Sequence, residues 1–304
     1  MTKKERDKRF RKARTQVIKA RTALLKGTRD EIVALLNDVA EQIRVLLASQ
    51  PSDYQQWYLP QLQKEIQSAL AAVGDKSAGV ISTKAGEAWA LGQALIEKPL
   101  EAGGLRISGV LPALDTKPLL AMRTFMTDRI QDVASSAAAR INGELGLVVI
   151  GGQSPGDAIA NITKLLKEQS KSRATTIVRS EIGRVFATAS HERLQQAGES
   201  VPGLKKQWRR SGKIHSRPQH DAADGQIQPR DQPFIIGGHR LMHPHDPKAP
   251  ASETINCGCV MLPFMESWDV SIPGKKPFSE EEIRLNPTKA DMTTSRPIND
   301  YLTR

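Results

Sequence analysis

The stretch Phe234-Ile235-Ile236-Gly237-Gly238-His239-Arg240-Leu241-Met242, inside a window from Gln207 to Leu262, decides the fold. The apolar run Phe234–Ile236 and the mixed run His239–Met242 flank a Gly-Gly pair. Glycine supplies the positive φ that a two-residue primed turn needs, so the spacing predicts a β-hairpin. Asp224-Gly225 is a second turn signal in the same window. Prolines at 218, 229, 233, 244, 247 and 250 forbid a long helix here. The window also holds five of the six histidines and both cysteines, Cys257 and Cys259, with Trp208 near its start and Trp268 just past its end. It reads as a compact unit of short strands and tight turns held by a few anchors.

Upstream of this unit the periodicity turns helical. Thr28-Arg29-Asp30-Glu31 has the form of a capping box, and Ile32, Leu35, Leu36, Val39, Ile43, Leu46 and Leu47 follow at helical spacing, with Pro51 as the stop. A second helix is expected from about Pro60 to Val73, with Leu62, Ile66, Leu70 and Val73 on one face and Gly74 as its cap. Residues 77–97 are a weaker helix, because Gly79, Gly86 and Gly92 each cost about 1 kcal/mol; small residues there suit close helix packing. Residues 98–115 read as a linker with a short strand at Leu105–Ile107. A long helix begins at Thr116, carries the stripe Met126, Ile130, Val133, Ala137 and Ile141, and is expected to stop at Gly143. Leu147–Ile150 fits helix or strand. Gly151-Gly152 lacks the lysine and spacing of a phosphate-binding loop.

Ser154-Pro155 then caps a helix that buries Ile159, Ile162, Leu165 and Leu166. A longer one is predicted over 172–197, ended by Gly198 and packed against the turn-rich unit. Its Arg179 and Glu181 are two apart and do not share a helix face. Beyond Leu262 the chain is polar and broken by Pro273, Pro277, Pro287 and Pro297. Ser279–Glu282 has the form of a cap for one short helix that Pro287 ends. Otherwise the tail is expected to be extended, with Trp268, Phe278, Ile283, Leu285, Ile298 and Tyr301 as its few apolar anchors. The fold class is therefore α+β: a mostly helical N-terminal part, a small turn-rich α+β unit, and an extended tail. The divisions are 1–110 with a basic arm, 111–200, 201–265 and 266–304.

The chain has 304 residues, a formal charge of +11 and 4% aromatic residues. A basic excess points to a polyanionic partner, while scarce aromatics argue against base stacking. The excess is concentrated at the start, where Lys3, Lys4, Arg6, Lys8, Arg9, Arg11, Lys12 and Arg14 face only Glu5 and Asp7. No base-reading motif accompanies them, so any nucleic-acid contact should be non-specific and to phosphates. A solvated helix or frayed arm is the plainer reading of the same residues. No apolar core of a signal peptide follows Met1, and no run approaches the roughly 20 apolar residues of a membrane span. Synthesis in the cytosol, with no membrane in the mature assembly, is the expectation. Two cysteines one residue apart fit a reducing compartment.

The run Trp208…Ser216-Arg217-Pro218-Gln219-His220…Asp224-Gly225-Gln226…Phe234…Leu241-Met242-His243-Pro244-His245-Asp246-Pro247…Ile255-Asn256-Cys257-Gly258-Cys259 resembles the signature of the phage Mu F-like minor head proteins. Members of that family carry a Trp, an Arg-x-x-His or Cys-x-x-Cys element, an Asp-Gly turn, a Pro-x-Asp element and a closing Asn-Cys-Arg-Cys. The order and spacing agree over about a fifth of the chain. Arg179-Ser180-Glu181 is similar to an Arg-Thr-Glu element on the matching helix. Gly258 departs from the family's arginine, which weakens any role for a charge there. The resemblance implies a virion protein without enzymatic activity, present in a few copies inside the capsid near the portal. Its partners would be the portal and other head proteins. Trp208, Asp224, Gly225, Phe234, Asp246 and Asn256 are the structural anchors it singles out.

Zinc needs four N or S ligands, and His220, Cys257 and Cys259 are the candidates, although Cys-x-Cys is tighter than the usual spacing. In many relatives His220 and Arg217 are the two cysteines of a Cys-x-x-Cys pair, so a fourth ligand would have to come from His215, His243 or His245. The expectation is no cofactor, with cysteines as buried small residues and zinc as the alternative. An HNH-type, metal-dependent nuclease through His243, His245 and Asn256 is the alternative function. No helical pattern follows Asn256, and nothing orients a base toward Cys257.

Overall fold

A computed structural model describes residues 1–49, 59–107, 109–268 and 276–294. Helices dominate: α1 (Lys3–Ala48), α2 (Leu59–Ala102), α3 (Lys117–Val149), α4 (Pro155–Lys164) and α5 (Lys171–Ser200), with a π-helical turn, Leu165–Ser170, joining the last two. After them come β1 (Leu204–Arg209), α6 (Pro218–Ala222), β2 (Ile227–Pro229), β3 (Phe234–Ile236), β4 (His239–Leu241), α7 (Ala251–Thr254), β5 (Val260–Met265), α8 (Glu280–Leu285) and α9 (Thr288–Thr294). The class is α+β, with no strand before Leu204 among the described residues.

The chain divides into two compact units, one of Met1–Leu24, Gly86–Thr116 and Ile182–Arg304, the other of Leu25–Ala85 and Lys117–Glu181. Among its described residues the second unit has helices and turns but no strand. Its core is built from the stripes the periodicity predicts: Ile32, Leu36, Val39 and Ile43; Leu62, Ile66 and Leu70; Met126, Ile130, Val133, Ala137 and Ile141; Ile162, Leu165 and Leu166. Glu181, buried, accepts a 2.8 Å bond from Arg129 of α3, while Arg179 is exposed. The two therefore face apart, as their spacing requires.

The expected helix ends need correction. Thr28 is no N-cap: α1 runs on through Gly27 and Thr28. Gly74 and Gly143 do not end α2 and α3, and Gly198 lies inside α5. A glycine costs a helix only about 1 kcal/mol, which burial of one flanking Ile or Leu offsets. Gly74 and Gly92 are also where α2 is closely approached. A Cβ at Gly74 would lie 3.3 Å from the Ala134 Cβ, and one at Gly92 would lie 2.5 Å from the Phe186 carbonyl. Close packing through small residues is thus present.

The real stops are glycine pairs. At the end of α2, Gly104 has φ 98, its N–H bonds Glu101 O at 2.8 Å, and Leu105 N–H bonds Leu100 O at 3.1 Å. That is a Schellman cap, and it takes Leu105–Ile107 out of strand geometry, so the expected strand there is absent. Gly151-Gly152 repeats the motif on α3: Gly151 has φ 72 and bonds Val148 O at 3.1 Å, and Gly152 bonds Leu147 O. Leu147–Val149 is accordingly the last helical turn. Ser154 does cap α4, its Oγ accepting from Asp157 N at 3.1 Å. Pro51, Pro273, Pro297, Ile298 and Tyr301 lie outside the described residues.

The first unit carries the sheets. β1 is central between β2 and β5, both antiparallel to it, in the order β2-β1-β5. β3 and β4 form the predicted hairpin, Ile236 opposite His239, with Gly237 at φ 53 and Gly238 at φ 81. Both turn residues have positive φ, the requirement of a type I′ turn. Trp208, Phe234, Ile236 and Leu241 pack with Phe10, Leu100, Leu194, Cys257 and Cys259 in one cluster, so the N-terminal half of α1 and the later turns of α5 share a core with the sheets.

The tail is not simply extended, since its described residues 276–294 hold α8 and α9. The capping box at Ser279 and Glu282 forms as expected. Glu282 then accepts from Arg210 Nη1 at 2.5 Å and from Lys289 Nζ at 3.0 Å, and Lys289 also bonds Ser216 Oγ at 2.9 Å. Lys289 lies 3.4 Å from Asp221, and the Phe278 ring lies under Arg210 at 4.2 Å. Arg210, Asp221 and Lys289 each have side chains only 1% exposed. The tail is therefore fastened by a buried charge network that its polar composition hides.

Candidate functional site

The turn-rich unit is fixed by its buried acids. Asp224, on the turn that ends with Gly225 at φ 87, accepts from Arg210 N at 2.9 Å and from Arg209 Nη1 at 3.0 Å. Asp246 accepts from Met242 N at 2.7 Å and from Lys248 N at 2.9 Å, closing the turn after β4. Trp208 and Phe234 are fully buried and meet edge to face at 5.4 Å. Asn256 takes the left-handed conformation, φ 55, just before the cysteines. Trp208 and Phe234 share a core cluster with Cys257 and Cys259, and Trp208 also meets His220.

His220 is on α6, whose first turn Pro218 starts. Its Nδ1 lies 3.6 Å from Cys257 Sγ and 3.4 Å from Cys259 Sγ, and all three donor atoms lie within 4.8 Å of one another. Both thiols are free. On the other side of the ring, Nε2 meets Glu253 Oε2 at 2.7 Å, and Gln219 holds Oε1 of the same carboxylate at 3.1 Å. Trp208 packs edge-on against the imidazole at 5.6 Å. Gly258 lets Ser211 approach the cysteine turn closely, since a Cβ there would lie 2.7 Å from the Ser211 Cβ. A shallow pocket of about 230 Å³ opens beside the cluster, lined among others by Ser211, Lys213, His215, Ser216 and Arg217.

Burial alone would depress the His220 pKa, but Cys257 and Glu253 outweigh it and raise the value. The hydrogen bond with Cys259, helped by His220, holds Cys257 well below the usual thiol range. Burial and the neighbouring sulfur push Cys259 up.

The other histidines go elsewhere. His243 is buried, its Nδ1 at 2.9 Å from Pro244 O and its ring 5.0 Å from that of His191. His245 has φ 64 and is fully buried against Gly183, where a Cβ would lie 2.7 Å from its Nε2. Burial lowers His191 to about 3 and His245 to about 4. Neither His243 nor His245 reaches solvent, so neither can meet a phosphodiester as an HNH base would. His215 is exposed on the pocket rim.

Sequence reasoning missed Glu253, Arg21 and the Glu282–Lys289 lock. Glu253 had a signal: it is the only charged residue between Lys248 and Glu266. Arg21 is buried, lies over the Phe186 ring at 5.1 Å, and points Nη1 at Gly258 O from 3.5 Å. The basic start is helical, and it splits. Lys3, Lys4, Lys8, Arg9, Arg11 and Lys12 are exposed, whereas Arg6 covers Trp268 at 4.7 Å and Arg14 covers Phe10 at 5.7 Å. Burial, with Arg209 nearby, lowers Arg14 to about 10.

The first unit thus defines a class: a helical protein carrying a small His/Cys module on a Trp–Asp-Gly–hairpin frame. Residues 140–262 match the family model described as Phage Mu protein F like protein. Two curated proteins are similar over part of their length. One is the "Uncharacterized protein YqbB" of Bacillus subtilis (strain 168), 35% identical over 136 residues, 42% of this chain and 43% of that protein. The other is the "NAD(+)--arginine ADP-ribosyltransferase EFV" of Enterococcus faecalis (strain ATCC 700802 / V583), 28% identical over 121 residues, 39% of this chain and 25% of that protein. The chain thus spans less than half the length of either relative. No solved structure matches it.

Proposed function

We propose that the chain is a structural minor head protein of a tailed phage, placed inside the capsid near the portal. There it supports head assembly and DNA packaging or ejection. The observation that carries this reading is the family match over 140–262, which contains α5, the hairpin and every residue of the His/Cys cluster. Its partners in this reading are the portal, other head proteins and, through the exposed cations of α1, the phosphates of packaged DNA. The transferase named among the relatives is matched over a quarter of its length, so the shared part is read as a common module and the chain as a non-enzyme. Among the described residues no helix is long and apolar enough to cross a membrane. Co-expression with portal and coat proteins, followed by cross-linking of assembled heads, tests the reading. Cross-links from this chain to the portal are expected. Heads that form with normal yield and contain none of it would overturn the proposal.

A further inference from the structure

We infer that His220 Nδ1, Cys257 Sγ and Cys259 Sγ hold a zinc ion, with its fourth coordination position on the pocket side. The first ground is distance. Zinc–sulfur bonds of about 2.3 Å and zinc–nitrogen bonds of about 2.0–2.1 Å at tetrahedral angles set the N···S separation at about 3.5–3.6 Å. The separations here are 3.6 and 3.4 Å.

The second ground is how the imidazole is held. A histidine that ligates a metal through one nitrogen almost always donates its other N–H to a carboxylate or carbonyl, which fixes the tautomer and the ring plane. Glu253 fills that role at 2.7 Å, is itself buried, and is fastened by Gln219. With the proton on Nε2, the Nδ1 lone pair faces both sulfurs. The lone pair accepts from only one S–H, and the other thiol is left to bond its neighbouring sulfur. A single cation satisfies all three donors at once.

The third ground is chemistry and access. Two thiolates and an imidazole are a borderline-soft donor set that suits zinc and does not suit magnesium or calcium. The charges balance, since two thiolates neutralise Zn²⁺ and their two protons leave on binding. The pocket, with exposed His215 on its rim, gives an entry path and room for a water or that imidazole as fourth ligand. The ion would join α6 to the turn before β5, closing loops of 37 and 39 residues beside the tail lock at Asp221. Asn256 at φ 55 turns the chain just before the two sulfurs.

The test uses the full chain, purified without chelator and then titrated with Zn²⁺ alone. One equivalent of zinc is expected, with an X-ray absorption shell of two sulfur and two nitrogen or oxygen atoms, and zinc should protect both cysteines from alkylation. Glu253→Gln should keep the fold by circular dichroism and weaken zinc affinity about 10–100-fold. Cys257→Ser and Cys259→Ser should each abolish stoichiometric binding. If either serine variant fails to fold, alkylation protection in the unaltered chain and the Glu253→Gln affinity decide the matter. Zinc well below one equivalent after titration, a metal shell without sulfur, or unchanged affinity in Glu253→Gln would overturn the inference.

Discussion

Replacing Glu282 with Gln removes one charge from a network that water does not reach. Arg210 and Lys289 have side chains only 1% exposed, and Glu282 bonds both. Asp221 remains as their other acid, but at 3.9 and 3.4 Å it is a weaker partner for either cation. Breaking a buried ion pair by removing one side costs about 3–5 kcal/mol, because the surviving charge is stranded. At about 1.4 kcal/mol per factor of ten, the population with the tail detached should rise from a hundredfold to a few thousandfold. The chain forms two units, so a single global midpoint is a poor readout. Hydrogen exchange of the α8 and α9 amides reports the opening directly. The sign in pH follows from the same contacts. Burial opposes the charged form of Glu282, but Arg210, the Ser279 backbone and Lys289 outweigh it, holding the carboxyl well below the usual range. Its contribution is therefore complete above the ordinary carboxylate pKa and is lost as pH falls toward the folded value. Protection of α8 and α9 that changes less than threefold in Glu282→Gln would refute the buried-lock argument.

Three further outcomes follow from the geometry. Changing exposed Lys3, Lys4, Lys8 and Lys12 together to Gln should lower the log–log salt slope of duplex-DNA binding by up to about 3.6, at about 0.9 per phosphate contact, measured by fluorescence anisotropy. Deleting residues 1–29 is not a clean version of that test, since it removes buried Phe10, Val17 and Arg21. Gly92→Ala should destabilise by about 1–3 kcal/mol through its clash with Phe186 and Ala189, while Gly143→Ala, with nothing within 4 Å, should stabilise by about 1 kcal/mol; denaturant midpoints separate the two. His191, held near 3 mainly by burial and then by His243, is neutral in the fold, so from about pH 6.5 down toward 3 the unfolded chain binds more protons and stability falls with pH. His191→Phe should flatten that fall by up to about 1.4 kcal/mol per pH unit in denaturation curves taken between pH 7 and 4.

The helix stripes, the hairpin and the Asp-Gly turn were legible because each rests on local periodicity or on a φ that only certain residues adopt. Helix ends were legible only in part. Gly74, Gly143 and Gly198 look like stops, yet a lone glycine costs less than the flanking burial returns. Gly104 and Gly151 do stop helices, because each takes the left-handed conformation a Schellman cap needs and the N–H of the next residue, Leu105 or Gly152, closes it. The site was half legible. His220, Cys257 and Cys259 were picked out by residue type, but Glu253 behind His220, and the turning inward of Arg6, Arg14 and Arg21, depend on packing between stretches distant in the chain. The tail lock was invisible for the same reason: Glu282 and Lys289 read as solvated charges until Arg210 and Asp221 are brought beside them.

The central claim is that this chain is a structural component of a phage head, positioned at the portal. An asymmetric reconstruction of tailed-phage particles assembled with this chain is its most direct test. The account predicts density for the helical units and the His/Cys module inside the capsid, in contact with the portal and in few copies. Particles of full composition and infectivity from which the chain is missing would contradict it, as would finding it only outside the particle.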